Sequence, residues 1–557
     1  MEGPRIKVKA TLFLLFLLVT MIPFLRASAD DSPTTKWNKT YGGSRSEMAY
    51  CAQQTIDGGY FIAGYTSSFG AGAADFWLVK TDSNGNLQWN KTYGRANQDE
   101  AYAAQQTTDA GYILVGSTSS IETSLLDFWL VRTDSNGQEL WNRTYGGSQE
   151  DVAYSVDQTA DGGYIVAGST NSFGSGNADF WLVKTDSNGN LQWNKTYGDF
   201  YDDVGYSVQQ TTDGGYAVCG YTGSLGAGYE DFWLVKTDSD GNPEWNKTYG
   251  GIDSEYAYFL QQTSENGYII AGSTYSLTTE FDMWIVKADS SGNMQWNRTY
   301  GGSLDEEAYG VRQTNDGGYV IAGFTDSFGN NREVYLIKTD SSGSIEWTQT
   351  YGGAQKDEAC AVQQTSDGGY IVSGTTYSFG PSWDPNFWLI RLAGTHDVSI
   401  QDVVPSKTVV GRGHPVFINA TVKNWGTSEE TCDVTVYANA TSIGTQSLTI
   451  AAGYSKTITL PWDTLSFPKG LYVISAYAQP ASGETDTADN NCTGGWITVT
   501  VPGDVTGDIW VDMQDISIMI DWFMTSPPTW NPNCDVNNDN SIDMADISLA
   551  IDHFMQS

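Results

Sequence analysis

Residues 76–94 and 180–198 carry the same segment letter for letter, FWLVKTDSNGNLQWNKTYG, and its Trp recurs at Trp37, Trp89, Trp141, Trp193, Trp245, Trp296 and Trp347, at intervals of 52, 52, 52, 52, 51 and 51 residues. A repeat of this period restricts the chain to stacked copies of one supersecondary unit, since a single copy is too small to bury its own apolar faces. Within one copy, AYSVDQT from Ala153, GYIVAGST from Gly163, DFWLVKTD from Asp179 and QWNKTYG from Gln192 are short β-rich runs separated by turn chemistry, which gives four strands per unit. ADGG at Ala160–Gly163 and SNGN at Ser187–Asn190 supply residues that tolerate positive φ, so both hairpins are local and antiparallel. FWLV is apolar on successive residues and must be covered on both faces, whereas QQT is polar and fits a strand beside a wet axis. Copy one starts at Trp37 with only its last strand, and copy seven stops at FWLIRL, Phe387–Leu392, without one. These complementary ends predict a mainly β fold, a seven-bladed β-propeller over residues 30–394 closed by the N- and C-terminal strands of the repeat region; an open solenoid would have no reason for the offset.

The turn and Trp of TDSNGNLQW resemble the docking signature of quinoprotein-like propellers, and the whole unit resembles Gly-rich propeller repeats of secreted archaeal and bacterial proteins. The resemblance covers roughly residues 37–392 and implies fold without cofactor, the Trp acting as a wedge between blades. Residues common to every copy serve what every copy needs, so a site must break the symmetry. The variable connections are GDFYDDVG from Gly198, GGSLDEEA from Gly301, SFGPSWDPN from Ser378 and SSIETSLLD from Ser119, and within them Phe200, Tyr201, Tyr229 and Trp383 are the candidate ligand-binding aromatics. An acidic residue recurs before the first strand, at Glu100, Asp151, Asp203, Glu255, Glu306 and Asp357. Facing carboxylates can hydrolyse glycosides, but a ring of like residues fits turn capping or a diffuse cation site better. The three His, at His396, His414 and His553, all lie outside the repeats, which removes Ser-His and Cys-His catalysis there.

With 66 Asp+Glu against 28 Lys+Arg the chain carries a net charge of −38, which disfavours nucleic acid and anionic lipid as partners. Residues 1–29 combine basic Arg5, Lys7 and Lys9, an apolar run from Ala10 to Leu25 and Ala27-Ser28-Ala29, the pattern of a cleaved secretory signal, so the mature chain is expected outside the cell or at its surface with no membrane span. A membrane anchor is the other reading, against which the run is shorter than the roughly 20 residues a spanning helix needs. Six Cys are few for an exported chain of 557 residues; Cys432 and Cys492 fall in one small segment and form a candidate disulfide, while Cys51, Cys219 and Cys360 read as small buried apolar residues. Glycosylation sequons begin at Asn38, Asn90, Asn142, Asn194, Asn246 and Asn297 in the last strand of successive units, and at Asn419, Asn439 and Asn491 further on.

After Leu392 the period vanishes and the alternation becomes that of half-buried sandwich strands. Asn424-Trp-Gly426 and Asp489-Asn-Asn491 sit where the CARDB family has its turns, and residues 395–501 resemble that immunoglobulin-like module, which implies a spacer or adhesive unit. In the last segment, DVTGDIWVDMQD at Asp504–Asp515 and DVNNDNSIDMAD at Asp535–Asp546 place oxygen side chains at loop positions 1, 3, 5, 9 and 12, the spacing with which a 12-residue loop wraps a hard cation. Each loop precedes an apolar-faced helix, ISIMIDWFM or ISLAIDHFM. The duplication and the Asp at position 12 make residues 502–557 resemble a dockerin. That resemblance implies two calcium sites, one of Asp504, Thr506, Asp508, Asp512 and Asp515 with the Trp510 carbonyl, the other of Asp535, Asn537, Asp539, Asp543 and Asp546 with the Ser541 carbonyl. It also implies a cohesin-like partner met by Met513, Gln514, Met544 and Ala545. Position 6, usually Gly, is Ile509 and Asn540 here, and Ile resists positive φ.

These features predict a secreted, non-catalytic binding scaffold: a propeller recognising a ligand, a sandwich spacer and a calcium-folded docking module. A polysaccharide-degrading enzyme or its accessory, with polysaccharide or cell-envelope glycan as partner, and a surface-layer or adhesion component are the alternatives.

Overall fold

The computed structural model describes residues 33–119, 125–276, 280–380, 384–394, 396–426, 428–481, 484, 487, 489–508, 510–525, 532–536 and 542–555. The segment 1–29 expected to be a signal, Trp383, Ile509, Asn537, Asp539, Asn540 and Ser541 lie outside these residues.

Each repeat folds into a four-stranded antiparallel sheet, and seven such sheets are present among the described residues. In the third, Asp151–Gln158, Tyr164–Thr170, Asp179–Thr185 and Leu191–Tyr197 follow one another as a meander. The turn glycines Gly162 and Gly189 have φ of +81° and +73°, which only a residue without Cβ adopts freely. The first strand of every sheet carries a β-bulge, which in this sheet falls between Ala153 and Ser155, so that Tyr154 has no cross-strand partner.

The fold class differs from the one expected from the sequence. The chain is mainly β, and its repeats form small separate four-stranded sheets; the closed seven-bladed propeller is withdrawn in favour of that description. The expectation rested on strand pairing between the two ends. That pairing exists, with Thr35–Tyr41 antiparallel to Asn386–Leu392, but it completes one sheet only, and no backbone ladder runs from any sheet into another of the seven. Between neighbours the backbone bonds are isolated ones, such as Asp99 N–H to the Ala74 carbonyl at 2.9 Å and Asp203 N–H to the Ala178 carbonyl at 2.7 Å, and side chains supply the rest. The Trp of each last strand lies 5.7–5.9 Å from a Tyr in the second strand of the adjoining sheet, as in Trp89–Tyr112 and Trp37–Tyr60. Phe76 meets Trp129, Phe128 meets Trp181 and Trp77 meets Phe387 at 4.5–4.6 Å, the last pair joining the first and last complete copies.

Beyond the repeats, a three-stranded sheet of Val398–Pro405, Pro415–Asn424 and Ser455–Asp463 faces a five-stranded sheet around Trp462, Val434 and Ile474. Cys432 and Cys492 do not pair: both are free thiols, on strands Glu430–Ala438 and Asn491–Thr500, with Gly470–Ala478 hydrogen-bonded between them. Two inter-strand spacings amount to about 10 Å, beyond the reach of a disulfide. Helices α1 (Met513–Thr525) and α2 (Met544–Phe554) close the chain.

The sequon asparagines of the repeats have a structural use. Oδ1 of Asn90, Asn194, Asn246 and Asn297 accepts a hydrogen bond from the indole N–H of Trp77, Trp181, Trp233 and Trp284 on the neighbouring strand at 3.3–3.4 Å, and Trp129–Asn142 and Trp388–Asn38 repeat it at 3.5 Å. The one repeat with Tyr335 in place of that Trp has Thr348 in place of the Asn, and Thr348 hydrogen-bonds the tyrosine. Asn194→Ala is expected to cost about 0.5–1.5 kcal/mol by leaving the Trp181 N–H without its acceptor, read as a lower denaturation midpoint; an unchanged midpoint would assign these asparagines to the surface alone.

Candidate functional site

The strongest candidate centre is the loop at residues 504–515. Carboxylate oxygens of Asp504, Asp508 and Asp515 all lie within 4.8 Å of one another. Two oxygens on opposite sides of a calcium ion, each 2.3–2.6 Å from it, are at most about 5 Å apart, so this cluster fits one hard cation. The backbone holds the loop in shape. Asp515 Oδ1 accepts from Val505 and Thr506 N–H at 2.9 and 3.0 Å, and its Oδ2 accepts from Asp512 N–H at 2.9 Å. Asp504 Oδ1 accepts from Gly507 N–H at 2.7 Å. Gly507, at loop position 4, takes φ +84°, so a glycine-demanding turn lies two residues before the position 6 that the sequence singled out. Thr506 Oγ1 lies 3.2 Å from Asp504 Oδ1, Asp512 is exposed at the mouth, and Trp510 has its N–H on Asp508 Oδ1 with its indole in solvent.

The second loop repeats the frame where it is described: Val536 and Asp543 N–H donate to the two oxygens of Asp546 at 2.7 and 3.0 Å, and Asp535 and Asp546 are buried. Asp512 and Asp543 each cap the helix that follows, through Gln514 and Ala545 N–H at 2.7 Å. Lys407 of the sandwich reaches this loop and donates to the Asp535 carbonyl. Burial pushes its ammonium below the usual range, opposed by Asp535 and Asp546. Asn533 Oδ1 accepts from Thr408 and Val409 N–H at 3.1 and 3.3 Å, which ties the module to the sandwich by contacts the sequence pattern does not reveal.

Met513, Gln514, Met544 and Ala545 are all exposed at the starts of the two helices. Sequence reasoning missed their companions: Ile520, Phe523 and Met524 on α1, and Ile551 and Phe554 on α2 with Met555 just after it, are also exposed. Every pair is separated by 31 residues, the same spacing as the loops, and that spacing was the available signal.

The repeats hold the other candidates. Phe200 and Tyr201 are exposed and in edge contact at 5.4 Å, and Tyr229 is 75% exposed on a separate loop, with no ring contact to them. The acidic series is realised as Glu47, Asp99, Asp151, Asp203, Glu255, Glu306 and Asp357, all buried; Glu100, half-buried, is one residue out of register with it. Each caps the turn four residues earlier, as Asp203 Oδ2 does for Asp199 N–H at 2.9 Å and Asp357 Oδ2 for Gly353 N–H at 2.8 Å. Groups buried and turned inward in this way are out of reach of a saccharide, which favours the capping reading. The buried lysines ending FWLVK were also missed: Lys184 is bound by Asp161 of the ADGG turn at 2.9 Å, and Lys80 by Asp57 at 3.0 Å.

A second carboxylate stands near the start of six of the seven third strands, beside the capping one. Asp179 is 1% exposed and its carboxyl is pushed up to about 6, by burial first and then by the charges of Asp203 and Asp199, against a hydrogen bond from Ser175 N–H. A carboxyl raised in the folded state favours folding when protonated, so the contribution of Asp179 to stability is full below about pH 4 and is lost as pH rises through 6. The seam between the last and first complete copies carries Asn386 at this position, facing Glu47 across Gly42. Asp179→Asn is therefore expected to raise stability at pH 8 by roughly 1–2 kcal/mol and to flatten the pH dependence between 4 and 7, followed by thermal melting; a loss at pH 8 would show the ionised pair to be tolerated.

The chain is thus a modular β protein whose last module holds an acidic cluster fit for a cation in the first of two similarly spaced loops, each loop leading into a helix. Residues 502–555 match the model of the dockerin type I domain, and residues 395–494 match that of CARDB. Together these support an extracellular, complex-assembling protein. The CARDB domain of a Pyrococcus furiosus protein, solved in complex with di-metal ions, is 22% identical and covers 19% of this chain and 90% of its own, with a TM-score of 0.17. The β-1,2-mannobiose phosphorylase of Listeria innocua is 12% identical, covering 65% of this chain and 92% of its own at a TM-score of 0.26. Regulatory protein FlaEY of Caulobacter vibrioides is 25% identical over 194 residues, 31% of this chain, and the chain spans about 20% of that relative's length. No helix among the described residues is long and apolar enough to cross a membrane.

Proposed function

We propose that this protein is a secreted, non-catalytic binding scaffold, divided as read from the sequence, that attaches through its last module to a cohesin-like extracellular partner. Dockerin domains bind cohesins, and what carries the reading here is the duplicated exposed apolar patch seated directly on two calcium-type loops. The loops set the helix starts and hence the positions of Met513 and Met544, so calcium acts on docking through geometry. In this reading both loops hold an ion, the second with Asp535, Asn537, Asp539, Asp543, Asp546 and the Ser541 carbonyl. The sandwich acts as a spacer and Phe200, Tyr201, Tyr229 and Trp383 serve recognition by the repeats, glycans being one candidate ligand. The sequons at Asn419, Asn439 and Asn491 are in exposed positions suited to modification.

Titration calorimetry of the full-length chain is expected to show two calcium ions bound in the wild type and one in Asp515→Asn. Capture by an immobilised type I cohesin is expected to require calcium and to survive Met513→Glu or Met544→Glu singly, because the patches are equivalent, but to fall at least tenfold with both. Calcium binding without cohesin capture would leave the metal sites standing and remove this choice of partner; no calcium response would remove both.

A further inference from the structure

The first strands of all seven sheets line one cavity of about 1010 Å³. Its wall is built of repeating positions. The bulged residues Tyr50, Tyr102, Tyr154, Tyr206, Tyr258 and Tyr309 follow one another at 4.9–5.5 Å, with Cys360 at the seventh place. Three residues further along stand Gln53, Gln105, Asp157, Gln209, Gln261, Arg312 and Gln363.

This second position has a structural task. Its side-chain oxygen accepts the backbone N–H of the neighbouring first strand, as Gln209 Oε1 does from Gln262 at 2.7 Å, Gln261 Oε1 from Gln313 at 2.8 Å and Asp157 Oδ2 from Gln210 at 2.8 Å. Six of the seven sheets make this bond. Arg312 cannot make it, because a guanidinium has no acceptor. A residue that breaks a rule kept by all its counterparts, and loses a hydrogen bond by doing so, marks a site where function has displaced stability.

A second departure accompanies it. One strand back, Phe259 stands where the other copies have Cys51, Ala103, Ser155, Ser207, Gly310 and Ala361, and the Arg312 guanidinium lies over its ring, 4.3 Å from the centroid. Among the described residues Arg312 makes no hydrogen bond or ion pair within 4 Å. The amide oxygens of Gln53, Gln209, Gln261 and Gln363 are occupied, while their NH2 groups have no protein acceptor among the described residues. Asp157 is engaged by Gln105 Nε2 at 2.9 Å as well as by Gln210, and its charge acts on Arg312 from beyond ion-pair distance. The cavity is therefore rich in unused donors, with one positive fork held flat on an aromatic ring, inside a chain of net charge −38. A planar donor fork matches a carboxylate in bidentate fashion.

We propose that this cavity is a binding site for a small carboxylate, whose CO2− pairs with Arg312 above Phe259 and whose remaining oxygens take the free Gln amide donors. The test uses the full-length chain at low ionic strength and constant calcium, with glutarate, its neutral diamide glutaramide and sulfate as calorimetric probes. Glutarate is expected to bind one to one and raise Tm, and glutaramide to bind at least tenfold more weakly. Arg312→Gln installs the residue found at five equivalent positions, so its Tm is expected to equal or exceed the wild type while glutarate binding falls at least tenfold; Asp157→Gln, which removes the competing carboxylate, is expected to tighten it. Equal glutarate binding by folded Arg312→Gln, no glutarate binding by the wild type, or preference for sulfate would each overturn the proposal. Neither outcome bears on calcium or cohesin.

Discussion

The repeats depend on one contact between sheets: a Trp from the last strand of one sheet lies on a glycine turn and a tyrosine of the next. A Cβ added to Gly85 would come within 2.7 Å of the Trp37 ring, and the same distance recurs between Gly137 and Trp89 and between Gly189 and Trp141. These glycines answer two demands at once, positive φ in the turn and room for an indole above it. The backbone hydrogen bonds between sheets are isolated ones, such as Glu255 N–H to the Glu230 carbonyl at 2.7 Å, so this packing does most to fix their spacing, reinforced by tyrosine hydroxyls such as Tyr93, whose O–H donates to the Gly137 carbonyl at 2.7 Å. Each buried indole contributes on the order of 2–3 kcal/mol through area alone.

The strand count, hairpins and buried third strand were legible because they rest on local rules: period two against continuous apolarity, and turn residues with positive φ. The fold class was overread. Offset ends specify which strands pair, and that pairing finishes a sheet; how separate sheets are then arranged is decided by side chains whose partners lie roughly fifty residues away. Lys184 shows the same limit. In sequence it ends an apolar run, yet it is buried because Asp161, 23 residues earlier, meets it in the fold. The disulfide expectation failed likewise, since nearness in a segment said nothing of the strand Gly470–Ala478 inserted between Cys432 and Cys492.

In the terminal module the ligand spacing was readable, because a loop wrapping one cation is a local object. Its attachment was not: Lys407 meets Asp535 across 128 residues and Thr408 meets Asn533 across 125, only because the sandwich presents this edge, with its strand Val409–Gly411, to the module. The two patches of α1 and α2 were half visible, the Met at each helix start being suggested by resemblance and the later Ile, Phe and Met by nothing but the duplication. Exposure decides between core and surface for such residues. Met519 and Ala550 are fully buried between the helices, while Ile520 and Ile551, each one residue further along, are about 40% exposed.

Internal repetition also supplies an argument that a single sequence does not usually allow. Seven copies of one unit state what the unit requires, so a departure can be weighed against six counterparts in the same molecule. Some departures are compensated structurally, as where Tyr335 and Thr348 together replace Trp and Asn and keep a hydrogen bond. Arg312 is of the other kind. Its neighbour Phe259 changes with it, yet the bond that the other six positions make is left unformed at the Gln364 N–H, and the charge is turned to a cavity already short of acceptors. A structural substitution would have been expected to restore the lost acceptor; this one adds donors, which is the chemistry of a surface complementary to something outside the chain.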